Sequence, residues 1–110
     1  MSLSVTDLAR ELQMVLKTGS IAIGTKKTIK LAKLGKTKLI VLAKNAPPEV
    51  KKDIMYYAKL AEIPVYEFPG TNMELGAVCG KPFSIAALAI IDPGQSNIIE
   101  LIKERGEVKT

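Results

Sequence analysis

Four short apolar stretches alternate with amphipathic stretches along this 110-residue chain, and this alternation narrows the fold to a few architectures. The apolar stretches have the length and composition of buried β-strands. Strands that are apolar on both faces must be covered on both sides, so the pattern predicts an α/β fold, a three-layer α/β/α sandwich. The predicted strands are SIAIG (20–24), TKLIVLAKNA (37–46), PVYEF (64–68) and SIAALAIID (84–92).

The stretches around the strands have helical periodicity and helical end signals. Gly35 is a typical helix stop, while Pro47 and Pro48 suit a helix start, where a missing N–H costs nothing. The predicted helices are SVTDLARELQMVLKTG (4–19), TKKTIKLAKLG (25–35), a helix from Pro47 through EVKKDIMYYAKLAE (49–62), a short helical turn in TNMELGAVCG (71–80) and SNIIELIKERG (96–106).

The short fourth helix bears on the direction of the last strand. About eight residues rise only about 12 Å, too little to carry the chain back across a sheet. An antiparallel fourth strand is therefore the alternative to a fully parallel sheet. It would bring the loop GKPF (80–83) to the edge where the loops after the first three strands gather, and ligands usually bind at that edge.

Length and composition predict one domain spanning residues 1–110, with 47% hydrophobic residues to form its core. No stretch reaches the roughly 18 uncharged apolar residues of a membrane span, and charges appear too early for a secretory signal. We therefore expect a cytoplasmic protein without a membrane partner. Histidine is absent and Cys79 is the only cysteine, which excludes disulfide frameworks, thiolate or imidazole metal sites and histidine-dependent catalysis. We expect no enzyme activity, no metal and no cofactor.

Positive charge is concentrated in one part of the chain. Residues 13–48 carry eight of the sixteen basic residues and none of the eleven acidic ones, and the net charge is +5. Such asymmetry is expected of a surface that meets a polyanion. A solvated lysine-rich surface, common in thermophiles, is the alternative. The lysines are Lys17, Lys26, Lys27, Lys30, Lys33, Lys36, Lys38 and Lys44.

The stretch ELGAVCGKPF (74–83) resembles a nucleotide-binding loop only superficially. A Walker A loop has four residues between its glycines and a serine or threonine after the lysine, whereas three residues and Pro82 stand here. Its glycines also end a predicted helix and do not join a strand to a helix. Cys79 is expected to be a small buried hydrophobe and not a nucleophile.

The stretch GTKKTIK (24–30) is more informative. On a helix that begins near Thr25, Lys26, Lys30 and Lys33 lie on one stripe. Lys27 lies at the flank of that stripe. The mutual repulsion of these lysines would be relieved by an opposing polyanion. Gly24 permits close approach of a backbone, and the free N–H groups of a helix start suit a phosphate. The alternative is a hydrated lysine face with Gly24 serving only the turn.

Two further residues stand in loops at the same predicted edge. Asn45 can cap the following helix, or it can read a base edge, because its amide offers both a donor and an acceptor. Phe83 either projects outward, where it can stack on an unpaired base with Ile85 beside it, or folds inward to close the end of the sandwich.

Together these motifs resemble the L30e branch of the kink-turn-binding superfamily named for ribosomal protein L7Ae. The resemblance covers roughly residues 4–103. The resemblance depends on three motifs. Gly-x-Lys-x-Thr and an Asn-x-Pro that follows a strand lie in GTKKTIKLAKLGKTKLIVLAKNAPP (24–48). Glu-Leu-Gly-x-x-x-Gly-Lys-x-Phe lies in MYYAKLAEIPVYEFPGTNMELGAVCGKPFSIAALAIID (55–92). The resemblance implies a mixed four-stranded sheet. It also implies binding to a kink-turn, an RNA element in which two helices are joined at a sharp bend by an internal loop.

The resemblance also implies site residues. The superfamily's better-known members have Asn-Glu after the first glycine, where this chain has Thr25 and Lys26, so a guanine-reading glutamate does not carry over. Lysines and helix-start amides are expected to hold crowded phosphates, while Phe83 and Ile85 receive extruded bases and Asn45 supplies a hydrogen bond. The predicted RNA-binding residues are Gly24, Thr25, Lys26, Lys27, Lys30, Asn45, Gly80, Lys81, Phe83 and Ile85.

Three functions remain to be compared. The first is a non-catalytic constituent of the large ribosomal subunit that binds a kink-turn in its rRNA, with neighbouring ribosomal proteins as further partners, and that is monomeric when free. The second is a protein-interaction or scaffold module whose lysine face meets an acidic protein. The third is a small nucleotide-binding enzyme.

Overall fold

A computed structural model describes residues 5–104 as five helices around one four-stranded sheet. The elements occur in the predicted order. They are α1 (Val5–Thr18), β1 (Ser20–Ile23), α2 (Thr25–Leu34), β2 (Leu39–Ala43), α3 (Pro48–Ala61), β3 (Val65–Phe68), α4 (Asn72–Val78), β4 (Ala87–Asp92) and α5 (Ile98–Glu104). No helix within this range is long and apolar enough to cross a membrane.

The sheet is mixed, with the strand order β1-β4-β2-β3. β2 and β3 are parallel, whereas β4 is antiparallel to both of its neighbours, β1 and β2. The seven residues of α4 are too few for a crossover, so the chain turns back and enters β4 from the edge at which β3 ended. The antiparallel alternative for the fourth strand is therefore confirmed, and with it the mixed sheet.

Two hydrophobic clusters cover the two faces of the sheet. Leu39 and Val41 of β2 point into one cluster, which α1, α4 and α5 complete, whereas Ile40 and Leu42 point into the other, which α2 and α3 complete. All four side chains are at most 2% exposed. Alternate residues of β2 thus pack into the clusters on opposite faces of the sheet, as a three-layer sandwich requires. The predicted architecture is confirmed.

Candidate nucleic-acid interface

The loops that follow β1, β2 and β3 meet the loop before β4 at one edge of the sheet. We call this surface the loop edge; it comprises residues 24–27, 44–48, 69–72 and 80–85. Backbone hydrogen bonds at and beside these loops hold the loop edge together. The Lys44 N–H donates to the Gly70 carbonyl at 2.9 Å, and at the adjoining strand ends the Gly24 N–H donates to the Ala87 carbonyl at 3.0 Å and the Ala43 N–H to the Ala86 carbonyl at 2.9 Å.

The start of α2 supplies free N–H groups and positive charge to the loop edge. Gly24 has a φ of 117°, which other residues rarely adopt, and its carbonyl accepts from the Thr28 N–H and the Thr28 hydroxyl. No side chain caps the helix, and its first turn contains no acid. The half-buried Thr25 and the exposed Lys26 and Lys27 follow. This helix start therefore has the properties of an anion site.

The lysines of the first two turns of α2 have no internal counter-charge. Lys26, Lys27 and Lys30 are all exposed. Among the side chains that the structure describes, those of residues 6–102, ion pairs join Arg10 to Asp7, Arg10 to Glu11 and Lys51 to Glu67, and none of these involves α2. The repulsion inferred from the sequence thus remains uncompensated within this part of the chain.

Asn45 does not cap α3, whose start at Pro47 has no side-chain cap. Its amide instead pairs with Asn72 in the first turn of α4. The Asn45 Oδ1 accepts from the Asn72 N–H at 2.7 Å, and the Asn45 Nδ2 donates to the Asn72 Oδ1 at 3.1 Å. The capping alternative is therefore wrong for α3. Asn45 holds α4 against the loop after β2, and its exposed amide retains one N–H and one lone pair for a ligand.

We expect the Asn45 and Asn72 side chains to be energetically coupled. Each alanine substitution should lower the free energy of unfolding by about 0.5–1.5 kcal/mol, the usual net contribution of a hydrogen bond. Chemical denaturation of Asn45→Ala, Asn72→Ala and the double variant measures the coupling, because the second substitution should cost less than it does alone. Strictly additive losses would show that the paired geometry contributes no stability.

The end of α4 fixes the path of the following loop. Gly80 has a φ of 72° and donates its N–H to the Ala77 carbonyl, while the Lys81 N–H donates to the Gly76 carbonyl, both at 2.9 Å. These two bonds form a Schellman motif, in which glycine is favoured at the left-handed position. At the other end of α4, Thr71 and Glu74 form a capping box. The seven-residue helix is thus fixed at both ends.

Gly76 allows the loop after α4 to pack directly on the helix. A Cβ at this position would lie 1.9 Å from the carbonyl oxygen of Phe83 and 3.1 Å from its carbonyl carbon. The Phe83 backbone therefore occupies the space that any other side chain would need. Phe83 is 51% exposed and belongs to neither hydrophobic cluster, so the outward alternative is confirmed and the inward one is wrong.

Ile85 differs from the expectation that it packs beside an extruded base. It is 1% exposed and lies in the core cluster with residues of α1, α4 and α5, so its side chain presents no surface to a ligand. Its N–H donates to the Asn72 carbonyl at 2.9 Å. Ile85 precedes β4 and is out of phase with it, because Ala87 faces the other cluster; the bond to Asn72 instead holds Ile85 against the start of α4, where its side chain enters the core. Ile85 anchors the loop that displays Phe83.

Cys79 and Lys81 lie beside each other at the end of α4. Cys79 is 4% exposed, and burial raises the pKa of its thiol to about 11, although the nearby Lys81 charge opposes the shift. Lys81 is half-buried, whereas the neighbouring Gly80 and Pro82 are exposed. Cys79 is thus the small buried hydrophobe expected from the sequence, without the low pKa that a nucleophile needs.

We expect the Cys79 thiol to react slowly in the folded protein. The raised pKa keeps the thiol protonated below about pH 11, and only the thiolate reacts readily. At pH 8.5, modification by an aromatic disulfide reagent, followed by absorbance, should be at least about tenfold slower than in the urea-unfolded chain. Equal rates in the two states would mean that Cys79 is accessible and ionised.

Asn72 and Gly76 are the positioning residues that sequence reasoning missed. Asn72 contacts both Asn45 and Ile85 and so joins three loops. A glycine inside a helix costs about 1 kcal/mol relative to alanine, and that cost was the available signal that another backbone approaches Gly76 closely. For Asn72 the available signal was the Thr-x-x-Glu pattern of residues 71–74, which is typical of a capping box and indicates a helix that begins at residue 72.

The sandwich, its antiparallel fourth strand and its basic loop edge together have the form expected of a small RNA-binding ribosomal domain. The chain belongs to the ribosomal protein L7Ae/L30e/S12e/Gadd45 family, whose model matches residues 6–100. The resemblance inferred from its motifs is thereby confirmed.

Curated archaeal relatives share about half of its residues. The protein from Methanothermobacter thermautotrophicus is 53% identical over 87% of this chain and 98% of its own length. Those from Methanocaldococcus jannaschii and Saccharolobus solfataricus are each 50% identical, over 92% and 86% of this chain and 94% and 88% of their own lengths. All three relatives are named large ribosomal subunit protein eL30.

Proposed function

We propose that this chain is a structural, non-catalytic constituent of the large ribosomal subunit in the cytoplasm. We propose further that it acts as one domain, monomeric when free, and that its loop edge binds a kink-turn in rRNA. The observation that carries the proposal is the convergence of an uncapped basic helix start, an exposed amide and an exposed aromatic ring on one surface of a family member.

Phosphate binding would begin at the start of α2. A sharp bend crowds phosphates of two strands together, so a site that offers N–H groups and ammonium groups at one point suits such a backbone. Gly24, Thr25 and Lys26 provide the helix start, and Lys27 and Lys30 extend the charge along α2. Binding of this kind is independent of sequence and weakens as salt rises.

Phe83 and Asn45 would contact the bases of the RNA. A ring that is half exposed on a loop anchored by Gly76 and Ile85 offers a face to an extruded base without a rearrangement of the fold. Asn45 offers the remaining donor and acceptor of its amide to a base edge. Gly80 and Lys81 keep the backbone of this loop in place at the RNA surface.

We expect Lys26→Ala to weaken RNA binding and to flatten its salt dependence. Removal of one phosphate contact should reduce the slope of log K against log salt by about one unit. Fluorescence anisotropy at four or more salt concentrations measures this slope. Lys59→Ala is the matched control, because Lys59 is also exposed but lies near the end of α3 far from the loop edge. Equal slopes for wild type and Lys26→Ala would show that Lys26 contacts no phosphate of the RNA.

Assembly into the ribosome tests the proposed function directly. A tagged chain expressed in an archaeal host should sediment with the large subunit and stay bound through a moderate salt wash. Sedimentation only with free protein, or only with the small subunit, would contradict the proposal.

A further inference from the structure

A second surface lies at the end of α2 that points away from the loop edge. There the C-terminal ends of α2 and α3 flank a shallow, open groove of about 260 Å³, which we call the α2–α3 groove. Ala32, where the groove begins on α2, follows Gly24 by eight residues, or about 12 Å of helix. An RNA held at the loop edge would leave it open. Its lining includes Ala32, Lys33, Leu34, Tyr57, Leu60 and Ala61.

Large apolar side chains project around the α2–α3 groove. Leu34 is 55% exposed and Leu60 is 67% exposed, although both line the groove. Tyr56, one turn before Leu60 on the same side of α3, is 60% exposed. Single exposed leucines are ordinary, but a group of large apolar side chains around a concave site marks an interaction surface.

The aromatic ring in the groove is already in contact with other groups. The Lys33 Nζ lies 4.9 Å from the centroid of the Tyr57 ring, and Tyr56 packs edge-on against it, with ring centroids 5.1 Å apart. A base stacking on Tyr57 would have to displace Lys33. Leu34 and Leu60 offer no π face at all, so an aliphatic side chain is a better occupant than a nucleobase.

Charge around the groove is asymmetric. The α2 side carries Lys33 and the following Lys36, both exposed, and neither belongs to an ion pair among the side chains that the structure describes, those of residues 6–102. The α3 side is mixed, with Lys59 beside Leu60 but also the acids Asp53 and Glu62. A complementary partner therefore places carboxylates over α2 and an aliphatic side chain in the groove.

We propose that the α2–α3 groove binds an acidic amphipathic helix of a second protein. One aliphatic side chain inserts between Leu34 and Leu60, and carboxylates one turn away face the lysines of α2. The volume lies below the roughly 300–1,000 Å³ of small-molecule sites, which suits one or two side chains better than a free ligand. The inference rests on the proposed function in one respect: the second protein is a neighbour within the large subunit.

Photocrosslinking in purified large subunits tests this proposal. The tagged full chain carries p-benzoylphenylalanine in place of Leu60 or, in a separate variant, in place of Phe83, and crosslinked segments are identified by mass spectrometry. We expect the Leu60 variant to crosslink to a segment of another protein that contains both aliphatic and acidic residues. Adding Lys36→Glu should lower that yield severalfold, because it opposes the partner's charge.

The two photoreactive positions decide separate questions. Crosslinking of the Leu60 variant to rRNA alone, to a second copy of this chain or to nothing would overturn the groove proposal. Crosslinking of the Phe83 variant to rRNA supports the loop edge as the RNA site, whatever the Leu60 variant shows. Failure of the Phe83 variant to reach rRNA counts against the proposed function and leaves the Leu60 result to decide the groove.

Discussion

Replacing Gly76 by alanine should destabilise the protein and weaken RNA binding together. The new methyl group would lie 1.9 Å from the Phe83 carbonyl oxygen, and both partners belong to the backbone, so neither can rotate away. Overpacking of this kind typically costs about 1–3 kcal/mol, which exceeds the gain of about 1 kcal/mol that alanine normally brings to a helix. Thermal denaturation measures the loss, and RNA titration shows whether the displaced Phe83 still binds.

Ala77→Ser is the matched control for this substitution. Ala77 is the next residue of α4 and is exposed, so its side chain can grow without meeting the loop. We expect its stability and RNA affinity to stay close to wild type. If Gly76→Ala raised the melting temperature, as glycine replacement does at open helix positions, the close packing of α4 on the Phe83 backbone would be refuted.

Replacing Phe83 by alanine should weaken kink-turn binding by about 1–3 kcal/mol, the usual cost of losing one stacked base. The salt dependence should stay unchanged, because the ring contacts no phosphate. Stability should change little, since Phe83 is 51% exposed and lies outside both hydrophobic clusters. Phe83→Tyr should retain most of the affinity, whereas Phe83→Leu should not, because stacking needs a flat π face.

Tyr56→Ala controls for the general loss of an exposed aromatic ring. Tyr56 is 60% exposed on α3, away from the loop edge, and its removal should leave RNA affinity unchanged. If Phe83→Leu bound RNA with full affinity, residue 83 would contact the RNA through apolar packing and not through stacking. An unfolded Phe83→Ala variant would show that the ring supports the fold.

Much of the fold was predictable because the hydrophobic periodicity of each segment and the residues that start and end its helices indicate the same secondary structure. Pro48 at the start of α3 and Gly35 after α2 were identified from their conformational preferences alone, and β2 from its apolar run. The direction of β4 required one further argument, that α4 is too short to cross the sheet. Prediction from sequence succeeds for these elements because their structure is determined by residues close to one another in the chain.

The candidate site was predictable in its location but not in its contacts. Asn45 and Asn72 pair across 27 residues of sequence, and nothing local distinguishes that pair from a helix cap. Ile85 lies in the same cluster as Leu88, three residues further on, so the alternation of β4 does not predict its direction; its contact with α4 does. Contacts of this type are set by the packing of separate elements, so the sequence alone left them open.

One titration tests the central claim most directly. The purified full chain is titrated at fixed salt against an RNA with a kink-turn and against a fully paired RNA of equal length. If the loop edge recognises a bent backbone and an extruded base, the kink-turn should bind at least about 100-fold more tightly, a modest ratio for a specific nucleic-acid binder. Equal affinity for the two RNAs would reduce the loop edge to a nonspecific cationic surface and contradict the account.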